Sequence, residues 1–167
     1  FAGFNPAKER SYRVVASPVV ANGLIYVPSR VKPLIALRVG GRGDITQSHV
    51  AWTTDMGPDV PTPAVTDKYI FILNDRGVLW CRDAKTGAEI WGNQRARTGT
   101  YSASPVVADG KLYFGNQKEF FVMATGKEAK VLSHVRLGSP VYSTPIAANG
   151  VLYVTSQNYL WAVQNVP

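Results

Sequence analysis

The chain is poor in the residues from which redox and metal sites are usually built. Its 167 residues include one cysteine, Cys81, and two histidines, His49 and His134. A single thiol excludes an internal disulfide, and no Cys/His spacing matches a zinc site. Cys81 lies in an apolar stretch and reads as a small core residue. His49 stands just before an expected fourth strand and His134 just before an expected loop, both as ordinary packing or surface histidines. No apolar run approaches the roughly 18 residues of a membrane-crossing helix. A period of 3.6 is missing throughout, so helices should be scarce. The first residue is Phe1, not Met, and nothing before it resembles a signal peptide, so the chain is expected to be part of something longer.

Charge is also sparse, at 17% of residues against 46% hydrophobic, which suits a packed globular chain. The net charge of +7 is carried by dispersed cations, among them Lys8, Arg10, Arg13, Arg38, Arg42, Arg82, Lys85, Arg95 and Arg97. Nucleic-acid binding would gather such residues on one element with stacking aromatics between them, so no nucleic-acid partner is expected. A surface that favours acidic neighbours remains.

What the chain does have is repetition. "ASPVVANGLIYV" from Ala16 returns as "ASPVVADGKLYF" from Ala103, with looser copies "PTPAVTDKYIFI" from Pro61 and "STPIAANGVLYV" from Ser143. Pro18, Pro63, Pro105 and Pro145 are spaced 45, 42 and 40 residues apart, the spacing of propeller blades. Each unit starts with a short strand opened by its proline, where a missing N–H matters least. Asn22-Gly23, Asp109-Gly110 and Asn149-Gly150 then suit type I′ hairpins, which need positive φ at both central residues. Asp67-Lys68 departs from this and implies a different turn. Second strands follow at Leu24–Val27, Tyr69–Ile72, Leu112–Phe114 and Val151–Val154, and third strands at Leu34–Leu37, Val78–Cys81, Phe120–Met123 and Tyr159–Val163. Fourth strands are expected at Val50–Trp52, Glu89–Trp91 and, more weakly, Lys130–Leu132.

The fold class is therefore all-β: a β-propeller of about four antiparallel four-stranded blades. The blades occupy approximately residues 12–53, 58–93, 100–133 and 139–167 of one propeller segment spanning 1–167. The last unit stops after its third strand, and only Tyr12–Val15 offers a strand to complete it. An incomplete ring, the C-terminal half of a larger propeller, is expected over a closed ring of four blades. Open blade edges would then favour self-association.

The stretch "VLWCRDAKTGAEIW", Val78 to Trp91, resembles the repeat of pyrroloquinoline-quinone-type (PQQ) propellers, with Asp83, Thr86, Gly87 and Trp91 in the Asp-x-x-Thr-Gly-x-x-x-Trp pattern. Asp and Thr can bond the turn, Gly supplies positive φ, and Trp docks between blades. The first copy keeps Trp52 but carries the insertion "VGGRGDITQSHVAW"; the third keeps Thr125-Gly126, with Leu132 near the Trp position. One well-kept turn among looser ones is similar to the quinoprotein-like propellers typified by the outer-membrane assembly lipoprotein BamB.

That resemblance implies a non-enzymatic, periplasmic or otherwise extracytoplasmic module that binds a protein partner and carries no cofactor. The alternative it leaves open is part of a PQQ-dependent oxidoreductase whose quinone and calcium residues lie mostly outside this chain. The vicinal cysteine pair typical of the alcohol dehydrogenases cannot form from Cys81 alone, and no Asp or Glu matches a calcium or catalytic position. A carbohydrate-binding propeller is a third possibility and would use exposed rings such as Tyr101 or Tyr142. Ser17, Ser104 and Ser143 recur with the blade and are not nucleophiles. The tripeptide Arg42–Asp44 matches an integrin-binding motif short enough to occur by chance.

In a propeller the loops between second and third strands share a face with the inter-blade loops, and ligands reach the axis there. On that face the candidate binding residues are Arg30, Asn74, Asp75, Arg76, Asn116, Gln117, Lys118 and Gln157, joined by Arg97 and Tyr101 from an inter-blade loop. They differ between copies while the strands around them agree, as expected of a binding face and equally of unconstrained loops.

Overall fold

The computed structural model describes residues 15–28 and 34–164. Arg30 and most of the Tyr12–Val15 segment lie outside the described residues. Among those described there are fifteen strands and no helix. They form four antiparallel sheets in chain order. The first contains β1 (Val19–Ala21), β2 (Leu24–Val27), β3 (Ile35–Arg38) and β4 (Val50–Thr53). The second contains β5 (Ala64–Val65), β6 (Tyr69–Leu73), β7 (Val78–Asp83) and β8 (Glu89–Arg95). The third contains β9 (Val106–Ala108), β10 (Lys111–Gly115), β11 (Glu119–Ala124) and β12 (Val131–Arg136), and the fourth β13 (Ile146–Ala148), β14 (Val151–Thr155) and β15 (Leu160–Val163). Within each sheet consecutive strands pair, so every blade is a meander.

The innermost strands are neighbours in sequence order: β1 beside β5, β5 beside β9, β9 beside β13. No comparable contact returns from β13 to β1 among the described residues. The fold is an open segment of a β-propeller.

The middle strands of the second and third sheets are apolar on both faces because those two sheets are covered on both sides. In β6, Ile70 and Ile72 join Tyr26, Ala36 and Trp52 of the first sheet. Phe71 and Leu73, one residue out of phase, join Leu112, Phe114, Phe121 and Met123 of the third. Cys81 is buried in that second cluster, and burial pushes its thiol up to about 12. The fourth sheet is covered on one face only, by Val154, Leu152 and Trp161 against Phe120 and Tyr113. Its other face leaves Ile146 61% and Leu160 66% exposed.

The turns follow their chemistry. Asn22, Asp109 and Asn149 have φ of 57°, 47° and 52°, each followed by a glycine at positive φ. The second blade instead closes its hairpin on Thr66, whose Oγ1 accepts from the Tyr69 N–H at 2.8 Å. Asp83 Oδ1 accepts from the Thr86 N–H at 2.8 Å, the Thr86 hydroxyl at 2.9 Å and the Lys85 N–H at 3.0 Å. The bonds from Thr86 hold the Asp83 carboxyl below its ordinary range.

Two kinds of side chain fasten one blade to the next. Trp52 Nε1 donates to the Ala84 carbonyl and Trp91 Nε1 to the Gly126 carbonyl, both at 3.0 Å. Near the axis the Ser17 N–H donates to Thr62 Oγ1 and the Thr62 N–H to Ser104 Oγ, both at 2.9 Å, and the Ser104 N–H to Thr144 Oγ1 at 3.3 Å. The recurring hydroxyl before each proline is therefore structural, and in the fourth blade it is Thr144, not Ser143.

Two expectations need correction. The fourth strand of the third blade runs over Val131–Arg136, beyond both Leu132 and the repeat boundary at 133. His134 accordingly lies within this strand, past its expected end at Leu132, with its ring stacked on Phe121 at 5.9 Å. Backbone pairing with β11 creates this strand, whose side chains are all exposed and carry no apolar alternation.

Candidate functional site

The loops between second and third strands are each built by a side chain that folds back on its own turn. Asn74 Oδ1 accepts from the Arg76 N–H at 3.0 Å and the Val78 N–H at 2.9 Å. Asn116 Oδ1 accepts from the Lys118 and Glu119 N–H groups, both at 2.7 Å. Ser156 Oγ takes the same part with Asn158 and Tyr159 at 3.3 and 3.1 Å. These residues hold turns, and those that follow them project: Arg76, Gln117, Lys118 and Gln157 are exposed.

Inter-blade loops are tied to these turns by backbone bonds, which places both sets on one face of the molecule. The Tyr101 N–H donates to the Asp75 carbonyl at 3.0 Å, the Val141 N–H to the Asn116 carbonyl at 3.2 Å, and the Gln157 N–H to the Pro140 carbonyl at 2.9 Å. The hairpin turns lie at the other end of the strands, where Gly110 and Lys68 carbonyls accept from the Thr125 and Ala84 N–H groups.

The ten candidates separate by burial. Arg76, Arg97, Gln117, Lys118 and Gln157 offer exposed side chains, Asn74 and Asp75 are half-buried, and Arg30 lies outside the described residues. Tyr101 and Asn116 are buried, at 0% and 1% exposure. Tyr101 donates its hydroxyl to the Arg97 carbonyl at 2.8 Å and accepts from Asn116 Nδ2 at 2.9 Å. Burial pushes its phenol up to about 12. Its ring fills the space over Gly77, where a Cβ would come within 2.3 Å. Tyr101 therefore locks the second blade to the third and offers no open ring to a sugar, whereas Tyr142 is 50% exposed.

The sequence did not single out Glu119, 5% exposed at the start of β11. Its two carboxylate oxygens each lie 3.6 Å from a guanidinium, one of Arg97 and one of Arg136. One carboxylate shared by two arginines leaves this edge of the face positive. The signal that could have found it is an acidic residue in the third strand of a blade, where the other copies carry Val78 and Tyr159. The Arg42–Asp44 tripeptide lies in an exposed loop, where Asp44 Oδ1 accepts from the Thr46 N–H at 2.9 Å.

Comparison with known proteins follows the same lines. A family profile described as outer membrane protein assembly factor BamB matches residues 5–93, more than half of the chain. This chain belongs to the BamB family. The outer membrane protein assembly factor BamB of Alkalilimnicola ehrlichii is 26% identical over 149 residues, covering 89% of this chain and 37% of that protein. The crystal structure of BamB from Moraxella catarrhalis superposes with a TM-score of 0.72 at 13% identity, over 89% of this chain and 42% of that one. Quinohemoprotein alcohol dehydrogenase from Comamonas testosteroni superposes at 0.68 with 17% identity, over 86% and 29%. The chain thus spans a little over a third of its BamB relative and under half of the Moraxella structure. The likeness to the dehydrogenase is one of fold alone, and fold does not assign an activity.

Proposed function

We propose that this chain is an interaction segment of a BamB-type assembly factor, holding a protein partner on its loop face outside the cytoplasm. The observation that carries this is the division of labour in the loops. Asn74, Asn116, Ser156 and Tyr101 fix the backbone, and Arg76, Arg97, Gln117, Lys118 and Gln157 project exposed side chains from it, Arg97 while sharing the Glu119 carboxylate with Arg136. Side chains on preorganised loops lose less freedom on binding. Three of the five are cations, so an acidic partner surface is favoured.

The role needs no quinone, calcium or other cofactor; saturable binding of PQQ with calcium would displace it in favour of an oxidoreductase. The uncovered face bearing Ile146 and Leu160 is suited to a further blade of a longer propeller. Exposed by itself, that face would drive self-association.

The test is site-specific photo-cross-linking in the intact protein in its own cells, with the reactive residue at Arg76 or Gln117. A discrete protein adduct is expected from both positions, and none from Lys127, in the β11–β12 connection at the opposite end. Equal adducts from Lys127, or none from Arg76 and Gln117, would overturn the proposal.

A further inference from the structure

Between the second and third sheets the packing opens into a groove of about 240 Å³. Phe121 and Met123, both 3% exposed, form its buried apolar lining, and the exposed Val131, Arg95, Arg97 and His134 stand among its remaining lining residues. Two small side chains, Ala96 and Ala129, line the groove, and β12 adds Val131 and His134 to it. Phe114 stacks on one face of this site's aromatic wall, 5.1 Å from Phe121, and His134 lies 5.9 Å from the same ring.

Size limits the occupant. An engineered cavity of about 150 Å³ accepts benzene, while sites for whole drug-sized ligands run from about 300 to 1,000 Å³. A groove between these limits suits one large side chain better than a complete cofactor. Charge limits it further. Arg95 is exposed and pairs with no carboxylate among the described residues, and Arg97 shares Glu119 with Arg136. The mouth is therefore positive over an apolar floor. The larger hollow of about 590 Å³ between the third and fourth sheets lacks this polarity, because its Lys111 is already paired with Asp109 at 2.6 Å.

We propose that this groove is a docking site for a protein segment that carries one large apolar side chain with carboxylates beside it. The apolar side chain enters between Phe121 and Met123, and the carboxylates meet Arg95 and Arg97. The inference rests on the protein-interaction role above and gives it a partner chemistry. Arg97 belongs both to the loop face and to this groove, so the two surfaces are continuous.

The probe is a fluorescein-labelled synthetic peptide with one central tryptophan and two aspartates on each side, titrated into the intact protein and followed by anisotropy. Saturable binding that weakens with added salt is expected. Arg95→Glu and Val131→Glu change exposed side chains and should each weaken it at least tenfold. Replacing the tryptophan by alanine, or the aspartates by lysines, should abolish it. Binding that ignores both protein variants, or an alanine peptide that binds equally, overturns the proposal. So does self-association of the intact protein that Arg95→Glu abolishes, since a second copy would then be the occupant. Absence of peptide binding while cross-links from Arg76 and Gln117 persist would sink the groove and leave the interaction role standing. Peptide binding without any such cross-link would sink the loop-face role instead.

Discussion

The indole of Trp52 lies against the backbone of Gly87 in the next blade, so close that a Cβ on Gly87 would come within 2.6 Å of Trp52 Cδ2. Gly87 is also at φ +74°, where side chains are strained. One residue thus meets two independent demands, a turn that must reverse and a tryptophan that must reach the Ala84 carbonyl beside it.

Gly87→Val should therefore destabilise the protein by about 3 kcal/mol, combining backbone strain with overpacking. Gly126, where a Cβ meets nothing within 4 Å, is the control, and its replacement by valine should cost far less. Urea unfolding of both variants decides the matter. Equal losses would mean that the Trp52 contact has no energetic weight.

The Ala84 carbonyl accepts from both Trp52 Nε1 and the Tyr26 hydroxyl, each at 3.0 Å. Either donor alone satisfies this buried group. Tyr26→Phe should accordingly cost less than about 1 kcal/mol in the parent protein and about 1–2 kcal/mol more in a Trp52→Phe background, where the carbonyl is left without a partner. A double-mutant cycle measures that difference, and simple additivity would show that the two bonds are independent.

Cys81 and Tyr101 are both acids held in their neutral form by burial, each pushed up to about 12. The unfolded chain releases these protons near 8.5 and 10. Between those values and about 12 the folded state holds more protons than the unfolded one, so stability falls as pH rises. It should be constant with respect to both groups below about pH 8 and decline through pH 9–12. Cys81→Ala should flatten the part of the decline that begins near pH 8.5, as read from urea midpoints at pH 8, 9.5 and 10.5. An unchanged slope in that variant would show that the thiol does not titrate differently on unfolding.

The parts of the fold most legible in the sequence were those whose chemistry is local. Asn22-Gly23, Asp109-Gly110 and Asn149-Gly150 announce themselves because few other pairs accept positive φ twice in succession. Asp83 to Gly87 is equally local, since the bonds from Thr86 to the Asp83 carboxylate and from the Gly87 N–H to the Asp83 carbonyl close the turn within five residues. What stayed hidden depends on partners distant in the chain. Tyr101 looked like a loop aromatic because nothing near it shows that Gly77 leaves a hollow for its ring. Asn116 looked like a polar loop tip, yet its amide is consumed by the turn and by Tyr101. Strand β12 has no inward alternation to betray it, and its length is set by the ladder of β11. The loop face was therefore located from topology, while the distinction between its supporting and its projecting residues came from burial.

The chain of hydroxyls near the axis has a direction. Among the described residues Ser17, Thr62 and Ser104 each give an N–H forward to the next hydroxyl, so Thr62 and Ser104 both give and receive, while within this series Ser17 only gives and Thr144 only receives. Any unit carrying the same Ser/Thr-Pro step could join at either side without altering those already present. Such a joint is blind to how many units precede or follow it, which lets ring size change by duplication while every seam stays the same.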